Sequence, residues 1–312
     1  MSETRLPDLA EVEAAARRIA PWVRRTPSLS LAGPGARPVV FKLETLQRSG
    51  SFKLRGALNK LMTLGAAARR GVVTASGGNH GLGVAHAGWL LGLPVRVCVP
   101  STTPALKLRA LEQSAAEVEV IPGAYPHAEI AARSFARAKG LPYVHAYDDP
   151  DVIAGQGTAV AELLADFPGV GTVVVAVGGG GLAAGAVLAA GGRRVVGVEP
   201  YGAPTMHAAL RSGHPVDLDR IDTIAADALG AGRAGEWSFA ICQRGLDRVE
   251  LVEDETILAA RRWLWDHLRL VVEPGASAGL AALTSGQLDD DPGPVGVVLC
   301  GANTDPSDLV RG

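Results

Sequence analysis

Residues 49–56 read Ser-Gly-Ser-Phe-Lys-Leu-Arg-Gly, and they open onto a run from Leu54 to Leu64, rich in Leu, Ala, Asn and Lys, that predicts a helix. Lys53 falls just after a flexible Ser-Gly-Ser turn and just inside the helix start. A cation there meets the positive end of the helix dipole, which costs a few tenths to about 1 kcal/mol at an exposed site. In a partly desolvated site the same kind of penalty lowers a lysine pKa and frees its amine, which is what carbonyl chemistry through a Schiff base requires. On this segment alone a solvated surface lysine is the plain alternative.

Outward from that segment the chain alternates strand and helix. Val39 to Leu43 predicts a strand before it, and Val72 to Ala75, Val95 to Val99, Val118 to Ile121 and Pro142 to Val144 predict strands after it. Between them lie a glycine-rich turn at Ser76 to Gly81, a helix running on through Trp89, and helices at Pro104 to Gln113 and Ala128 to Lys139. The alternation resumes with a helix at Asp151 to Ala165, a strand at Val173 to Val177, a helix at Leu182 to Ala190 and a strand at Val195 to Val198. Tyr201 to Gly235 reads as a looser Gly- and Asp-rich passage. Then follow a helix at Glu236 to Arg244, a strand at Arg248 to Val252, helices from Asp254 to Leu268 and Ala276 to Gly286, and a last strand at Val295 to Cys300. Such a rhythm predicts an α/β fold of parallel sheets wrapped by helices. Asp8 with Glu11 predicts a capping box on the first helix, Pro21 ends that helix, and Asp254 is read as the cap of its own. Trp263 and Trp265 are two apart on one helix and cannot share a face, so the first is assigned to the core and the second to the rim.

Gly178 to Gly181 follow a strand and open a helix, where backbone N–H groups converge and the dipole favours a phosphate. Side chains would hold the anion away, which is why glycines are needed. The same residues, as Gly179-Gly180-Gly181-Leu182-Ala183-Ala184, also fit the G-x-G-x-x-A turn of a Rossmann NAD oxidoreductase, with Glu199 closing the next strand where a ribose-binding acid would stand. This segment alone does not separate the two readings.

The Lys53 segment separates them. Ser51-Phe52-Lys53-Leu54-Arg55-Gly56-Ala57, followed about one strand later by Ser76-Gly77-Gly78-Asn79-His80-Gly81, resembles the fold type II pyridoxal phosphate enzymes of the serine/threonine dehydratase (threonine ammonia-lyase) and serine racemase family. The resemblance continues in family order through Gly155-Gln156-Gly157-Thr158, Gly178 to Gly181, Gly197-Val198-Glu199-Pro200, Glu273-Pro274 and Cys300-Gly301-Ala302-Asn303. It implies the tryptophan synthase β-like fold, two open twisted parallel sheets flanked by helices. Residues 1–66 and 145–312 would form the large cofactor-binding domain and 67–144 a small inserted domain.

The resemblance also implies roles. Lys53 carries pyridoxal 5'-phosphate and acts as the catalytic base, Phe52 flanks the ring, and Asn79 contacts the 3'-hydroxyl. Gly178, Gly179, Gly180, Gly181 and the Leu182 N–H hold the phosphate. Cys300 stands beside the pyridine nitrogen, where the family usually places serine; such a weak acid leaves the ring a modest electron sink, which suits elimination. Ser76, Gly77, Asn79 and His80 cradle the substrate carboxylate, although a turn plus helix cap explains Asn79 and His80 equally well. Glu273 either faces the cofactor plane or caps a helix. Glu199, Ala203 and Thr205 match the family's cation site, but metal-activated relatives carry aspartate where Thr205 stands, so a monovalent ion or none fits better than a tight divalent one. Family racemases carry serine at the position of Gly77, so elimination is expected to dominate inversion, and Gly77→Ser is expected to raise inversion. The expected activity is dehydration and deamination of L-serine or L-threonine to a 2-oxo acid and ammonia, in amino-acid catabolism. A racemase, a dehydratase of another β-hydroxy amino acid, and a scaffold that has lost the chemistry are the alternatives; Lys53 argues against the last. The chain stops nine residues after Asn303, with no room for an appended amino-acid-sensing domain, so no inhibition by isoleucine is expected.

The resemblance implies a homodimer acting on a small-molecule amino acid, and composition agrees with a cytoplasmic enzyme. With 312 residues, 47% of them hydrophobic, the chain can bury a large core and divide into two lobes. A net charge of −2 and 4% aromatic residues give no case for nucleic acid or an acidic membrane surface. Cys98, Cys242 and Cys300 are far apart and without Cys-x-x-Cys spacing, which predicts neither a disulfide framework nor a zinc site. Met1 to Pro7 is polar and carries Glu3, unlike a signal peptide, and no apolar run reaches membrane-span length.

Overall fold

The computed structural model describes residues 5–33, 38–291 and 293–310, so Met1 to Thr4 of the polar N-terminal stretch lie outside the described residues. In chain order the elements are α1 (Leu9–Ile19), β1 (Ser28–Ala32), β2 (Pro38–Leu43), α2 (Lys53–Leu64), β3 (Val72–Ala75), α3 (Asn79–Leu91), β4 (Val95–Pro100), α4 (Ala105–Glu112), β5 (Glu117–Ile121), α5 (Tyr125–Lys139) and α6 (Pro150–Asp166). They continue as β6 (Thr172–Ala176), α7 (Gly181–Ala189), β7 (Arg194–Pro200), α8 (Thr205–Ser212), α9 (Ala226–Leu229), α10 (Glu236–Gly245), β8 (Arg248–Val252), α11 (Asp254–Leu268), α12 (Pro274–Thr284), β9 (Val295–Leu299) and α13 (Ser307–Val310).

Two sheets result. The larger has the order β1-β2-β9-β6-β7-β8 and the smaller the order β3-β4-β5. All pairings are parallel except β1 with β2, so the larger sheet is edged by one antiparallel strand that the sequence pattern did not reveal. The Val-rich interior strands are buried on both faces, as parallel strands covered by helices must be. Each sheet has its own core: Val173 to Val177, Val195 and Val297 belong to one cluster, while Val72, Val97 and the buried face of α2 (Leu54, Leu58, Leu61) belong to another.

Several expectations are corrected. Pro142 to Val144 is a single parallel bridge, Val73 to Tyr143, rather than a strand. The passage from Tyr201 to Gly235 contains α8 and α9, whose short lengths gave no periodic signal. Asp254 is the first residue of α11 rather than its cap; its carboxylate accepts from the Thr223 hydroxyl at 2.5 Å and the Ile224 N–H at 3.0 Å. The capping box of Asp8 and Glu11 is present. Trp263 packs on the large core, 6.5 Å from the Phe41 ring, while Trp265 is only partly covered and stacks under Arg269.

The glycine-rich motif of α6 is explained by packing. A β-carbon on Gly155 would lie 2.6 Å from Gly56 Cα in α2, and one on Gly157 would lie 2.6 Å from the Gly185 carbonyl oxygen in α7. Three helices thus meet backbone to backbone. Beside that contact Arg55 is fully buried: its guanidinium bonds both Glu44 oxygens at 2.8 Å, both Glu162 oxygens at 2.8 and 2.9 Å and Thr158 Oγ1 at 3.1 Å. Lys42 joins Glu162 at 2.7 Å, so two cations face two carboxylates. Desolvation of these groups is offset only because every charge is paired. Arg55 is therefore a structural clamp on α2, the helix that begins with Lys53.

Candidate active site

The expected residues converge at the C-terminal ends of the parallel strands, where α/β folds place ligands. A cavity of about 480 Å³ is lined by Phe52 and Lys53 at the start of α2, Ser76 to His80 between β3 and α3, Gly178 to Leu182 between β6 and α7, and Cys300 just past β9. The same cavity is lined by residues that sequence reasoning gave no role: Thr103, Lys107, Tyr125, Tyr147 and Asp227.

Lys53 Nζ donates to the Ala146 carbonyl at 2.8 Å and lies 5.2 Å from the centre of the Phe52 ring. Burial lowers its pKa to about 8, against the opposing pull of Cys300 and Glu273. Desolvation, more than the helix dipole, is what frees this amine. Cys300 is itself buried, and burial pushes its thiol up, so it presents a neutral S–H to the cavity.

The glycine turn forms a close-fitting cup. Gly180 has φ +95°, the left-handed region, and a β-carbon on it would meet Met206 and Ser238. On Gly179 a β-carbon would run into the Tyr147 ring, and on Gly181 it would lie 3.0 Å from Tyr147 Cα. Tyr147 is held over the cup by its hydroxyl, which donates to the Arg233 carbonyl at 3.2 Å. The first N–H groups of α7 have no partner within the helix and face this space. A phosphate therefore fits the cup, and an amine able to form a carbonyl adduct opens into the same cavity.

Asn79 is buried and engaged on both sides. Its amide donates to Glu273 Oε1, and its carbonyl accepts from Asn303 Nδ2 at 2.7 Å. A side-chain amide still has a second donor and a second lone pair, so it keeps capacity for a ligand. Glu273 is fully buried, and its other oxygen receives Lys107 Nζ at 3.3 Å; Lys107 also reaches Asp227 at 2.6 Å. Burial raises the Glu273 pKa, with Lys107 opposing. The ion triad joins α4 to the starts of α9 and α12 in the cavity wall.

His80 lines the cavity with Ser76, Gly77 and Asn79, but its ring is turned to the protein. Its ring is buried against the Val144 carbonyl at 3.2 Å, and burial drives its pKa down to about 3, so it stays neutral and structural. Its backbone N–H lies in the first turn of α3. Ser76 Oγ accepts from the Gly78 N–H at 3.1 Å. Gly77 is not simply vacant: a β-carbon there would fall on Thr103 Oγ1 and lie 2.8 Å from Thr103 Cβ and Cγ2, so a serine at 77 needs Thr103 to move.

The structure brings Glu199, Ala203 and Thr205 together between the end of β7 and the start of α8. Glu199 is buried at the end of β7, and its oxygens accept the N–H groups of Met206 at 2.7 Å and His207 at 2.9 Å, at the start of α8. The Thr205 hydroxyl donates to the Ala231 carbonyl at 2.7 Å, and the Ala203 carbonyl accepts the Thr205 N–H at 3.0 Å. Each of these oxygens thus has one partner within the protein and keeps at least one further lone pair. Among the described residues no group of three or more His, Cys, Asp or Glu side chains is placed to hold a metal. Burial pushes the Glu199 carboxyl up to about 8. The same burial removes Glu199 as a ribose acid, which withdraws the Rossmann NAD reading.

Comparison with known proteins agrees with this geometry. The family of pyridoxal-phosphate dependent enzymes matches residues 19–301. An L-threonine ammonia-lyase of Geobacter sulfurreducens is 39% identical over 86% of this chain and 68% of its own length. A phenylserine dehydratase of Ralstonia pickettii is 36% identical over 100% of this chain and 98% of its own. In structure, maize serine racemase superimposes with a TM-score of 0.92 at 30% identity, covering 98% of this chain and 96% of that one. With a buried low-pKa lysine, a glycine phosphate cup and this match over most of its length, the chain belongs to the pyridoxal-phosphate dependent enzymes of fold type II.

Proposed function

We propose that this enzyme removes water from a small L-hydroxy amino acid, L-serine or L-threonine, giving a 2-oxo acid and ammonia. The observation that carries the reading is the Lys53 amine, buried and held near pKa 8 at the floor of the cavity that the glycine cup closes. Relatives bearing threonine ammonia-lyase and phenylserine dehydratase names point to the same reaction class.

Bound pyridoxal phosphate supplies a carbonyl for the substrate amine and a ring that takes up electron density. The protein does the rest. Gly178 to Leu182 would hold the phosphate through backbone N–H groups, Phe52 would lie beside the ring, and Asn79, fixed by Glu273 and Asn303, would bond its hydroxyl. Cys300 offers a neutral thiol, too weak an acid to keep a ring nitrogen protonated, so charge is not stored and loss of the β-hydroxyl is favoured. The backbone N–H groups of residues 76–80, with the Ser76 hydroxyl, seat the substrate carboxylate at the start of α3. Lys53 would hold the cofactor through Nζ, and as a free amine in the same cavity it would take the substrate's α-proton.

The division into a large domain (1–66 and 145–312) and a small one (67–144) belongs to this reading, as do a cytoplasmic location and a homodimer. No described helix is long and apolar enough to cross a membrane. The exposed Trp89, at the rim of an outer hollow of about 650 Å³ with Leu82 and His86, is the surface we assign to the second copy. Oxo-acid release from a panel of L-serine, L-threonine and L-phenylserine tests the activity, and chiral analysis of the remaining amino acid tests racemisation. D-serine forming as fast as pyruvate would replace dehydratase by racemase.

A further inference from the structure

Thr103 stands in the turn that leads from β4 into α4, on the wall of the Lys53 cavity. Its side chain fills the volume that a residue at 77 would use, because a β-carbon on Gly77 would fall on Thr103 Oγ1. Position 77 therefore lacks a side chain, but the space beside it does not lack a hydroxyl. The orientation of that hydroxyl is set: Oγ1 donates to the Pro100 carbonyl at 2.7 Å, and the Thr103 N–H bonds the same oxygen at 3.0 Å. A hydroxyl has one hydrogen and two lone pairs, so toward the cavity Oγ1 presents an acceptor.

An acceptor selects a donor. The substrate carboxylate has none, and the substrate nitrogen is taken by the cofactor. The remaining donor of a hydroxy amino acid is its β-hydroxyl. We propose that Thr103 is a specificity-determining residue whose Oγ1, in the seat left by Gly77, accepts a hydrogen bond from the substrate's β-hydroxyl and so selects substrates that carry one. The inference rests on the elimination reading and deepens it, since it names what distinguishes a hydroxy amino acid from other substrates with a leaving group at the same carbon. The hydroxyl holds the β-oxygen but carries no spare proton to return to the α-carbon, consistent with elimination over inversion.

The test compares L-serine with β-chloro-L-alanine, which yields the same pyruvate but has no O–H to donate. Thr103→Val keeps the shape and removes the acceptor; kcat/KM for L-serine should fall about tenfold, the scale of one lost hydrogen bond, while that for β-chloro-L-alanine changes less than about twofold. Thr103→Ser should keep the wild-type ratio of the two. Gly77→Ser with Thr103→Ala moves the hydroxyl to the other turn and should recover the preference for L-serine that Thr103→Ala alone loses. An unchanged visible absorbance of each holoenzyme shows that the cofactor remains seated. If wild type releases pyruvate from both compounds and Thr103→Val leaves their ratio unaltered, the Thr103 inference is overturned while elimination stands. No pyruvate from either compound with the wild type would overturn both.

Discussion

Lys53 Nζ and the Ala146 carbonyl oxygen are 2.8 Å apart, so the amine at the head of α2 is pinned to the chain just before α6. That bond orients the nitrogen without neutralising it. An ammonium cannot attack a carbonyl, and a pKa of about 8 means the nucleophilic fraction rises about tenfold per pH unit below that value and levels above it. Cofactor uptake by the apoprotein, followed by visible absorbance, should therefore plateau above about pH 8 rather than near the ordinary lysine value of 10.5. Borohydride reduction of the holoenzyme followed by peptide mass analysis should place the label on Lys53, and Lys53→Ala should form no oxo acid. Label on another lysine would refute the assignment.

Arg55 should matter to stability more than to substrate binding. Arg55→Met leaves Glu44 and Glu162 with Lys42 as their sole cationic neighbour in the cluster, and removing one partner of a buried pair typically destabilises by about 3–5 kcal/mol. Urea unfolding of the holoenzyme should show that loss, with KM for the amino acid little changed below the transition. A stable Arg55→Met protein would show that the clamp is dispensable.

Glu199 gives a pH signature. Its carboxyl sits near 8 in the folded chain against 4.5 ordinarily, so between those values the folded state retains a proton that the unfolded state has released. Stability contributed by that proton is present at low pH and is lost as pH rises through about 8. Thermal unfolding should show a fall in Tm between pH 5 and 8 that is shallower in Glu199→Gln. Because Thr205 offers only a neutral oxygen beside Glu199, prolonged dialysis against a chelator should leave both Tm and oxo-acid release unchanged, and restoration of activity by magnesium or manganese would show that a divalent ion binds.

Gly155→Ala probes the helix contact. The added methyl meets Gly56 Cα at 2.6 Å, backbone against backbone, and overpacking of this kind costs about 1–3 kcal/mol. Because α2 must shift to relieve it, kcat should drop along with stability. Full activity with a reduced Tm would mean that the strain is absorbed on the α6 side.

The motifs that hold the cofactor were legible because they are local: a lysine within three residues of a Ser-Gly-Ser turn and four consecutive glycines carry their chemistry in the order of the chain. Arg55 and the Gly155-Gln156-Gly157-Thr158 motif were visible but silent, since their meaning lies in a partner helix; the Gly56 N–H, for example, bonds Gln156 Oε1 at 3.1 Å. Lys107 was out of reach altogether. Its partners Asp227 and Glu273 lie 120 and 166 residues away, and its own helix offers no pattern that marks it. Thr103 was hidden for a different reason: what matters at position 77 is an absence, and only the fold says which neighbour has moved into it.

The two groups that must hold one cofactor at once stand at the heads of different helices, Lys53 on α2 and the glycine cup on α7, and α6 meets both helices backbone to backbone, at Gly155 and at Gly157. That makes α6 a ruler. The span from the attachment nitrogen to the phosphate seat is set by two glycine contacts far from any substrate, so variation of the cavity wall leaves the span intact. Redesign for a bulkier hydroxy amino acid has freedom around Thr103, Tyr125 and Ala228, and little at Gly56, Gly155, Gly157 or Gly185, where a single methyl group would recalibrate the whole site.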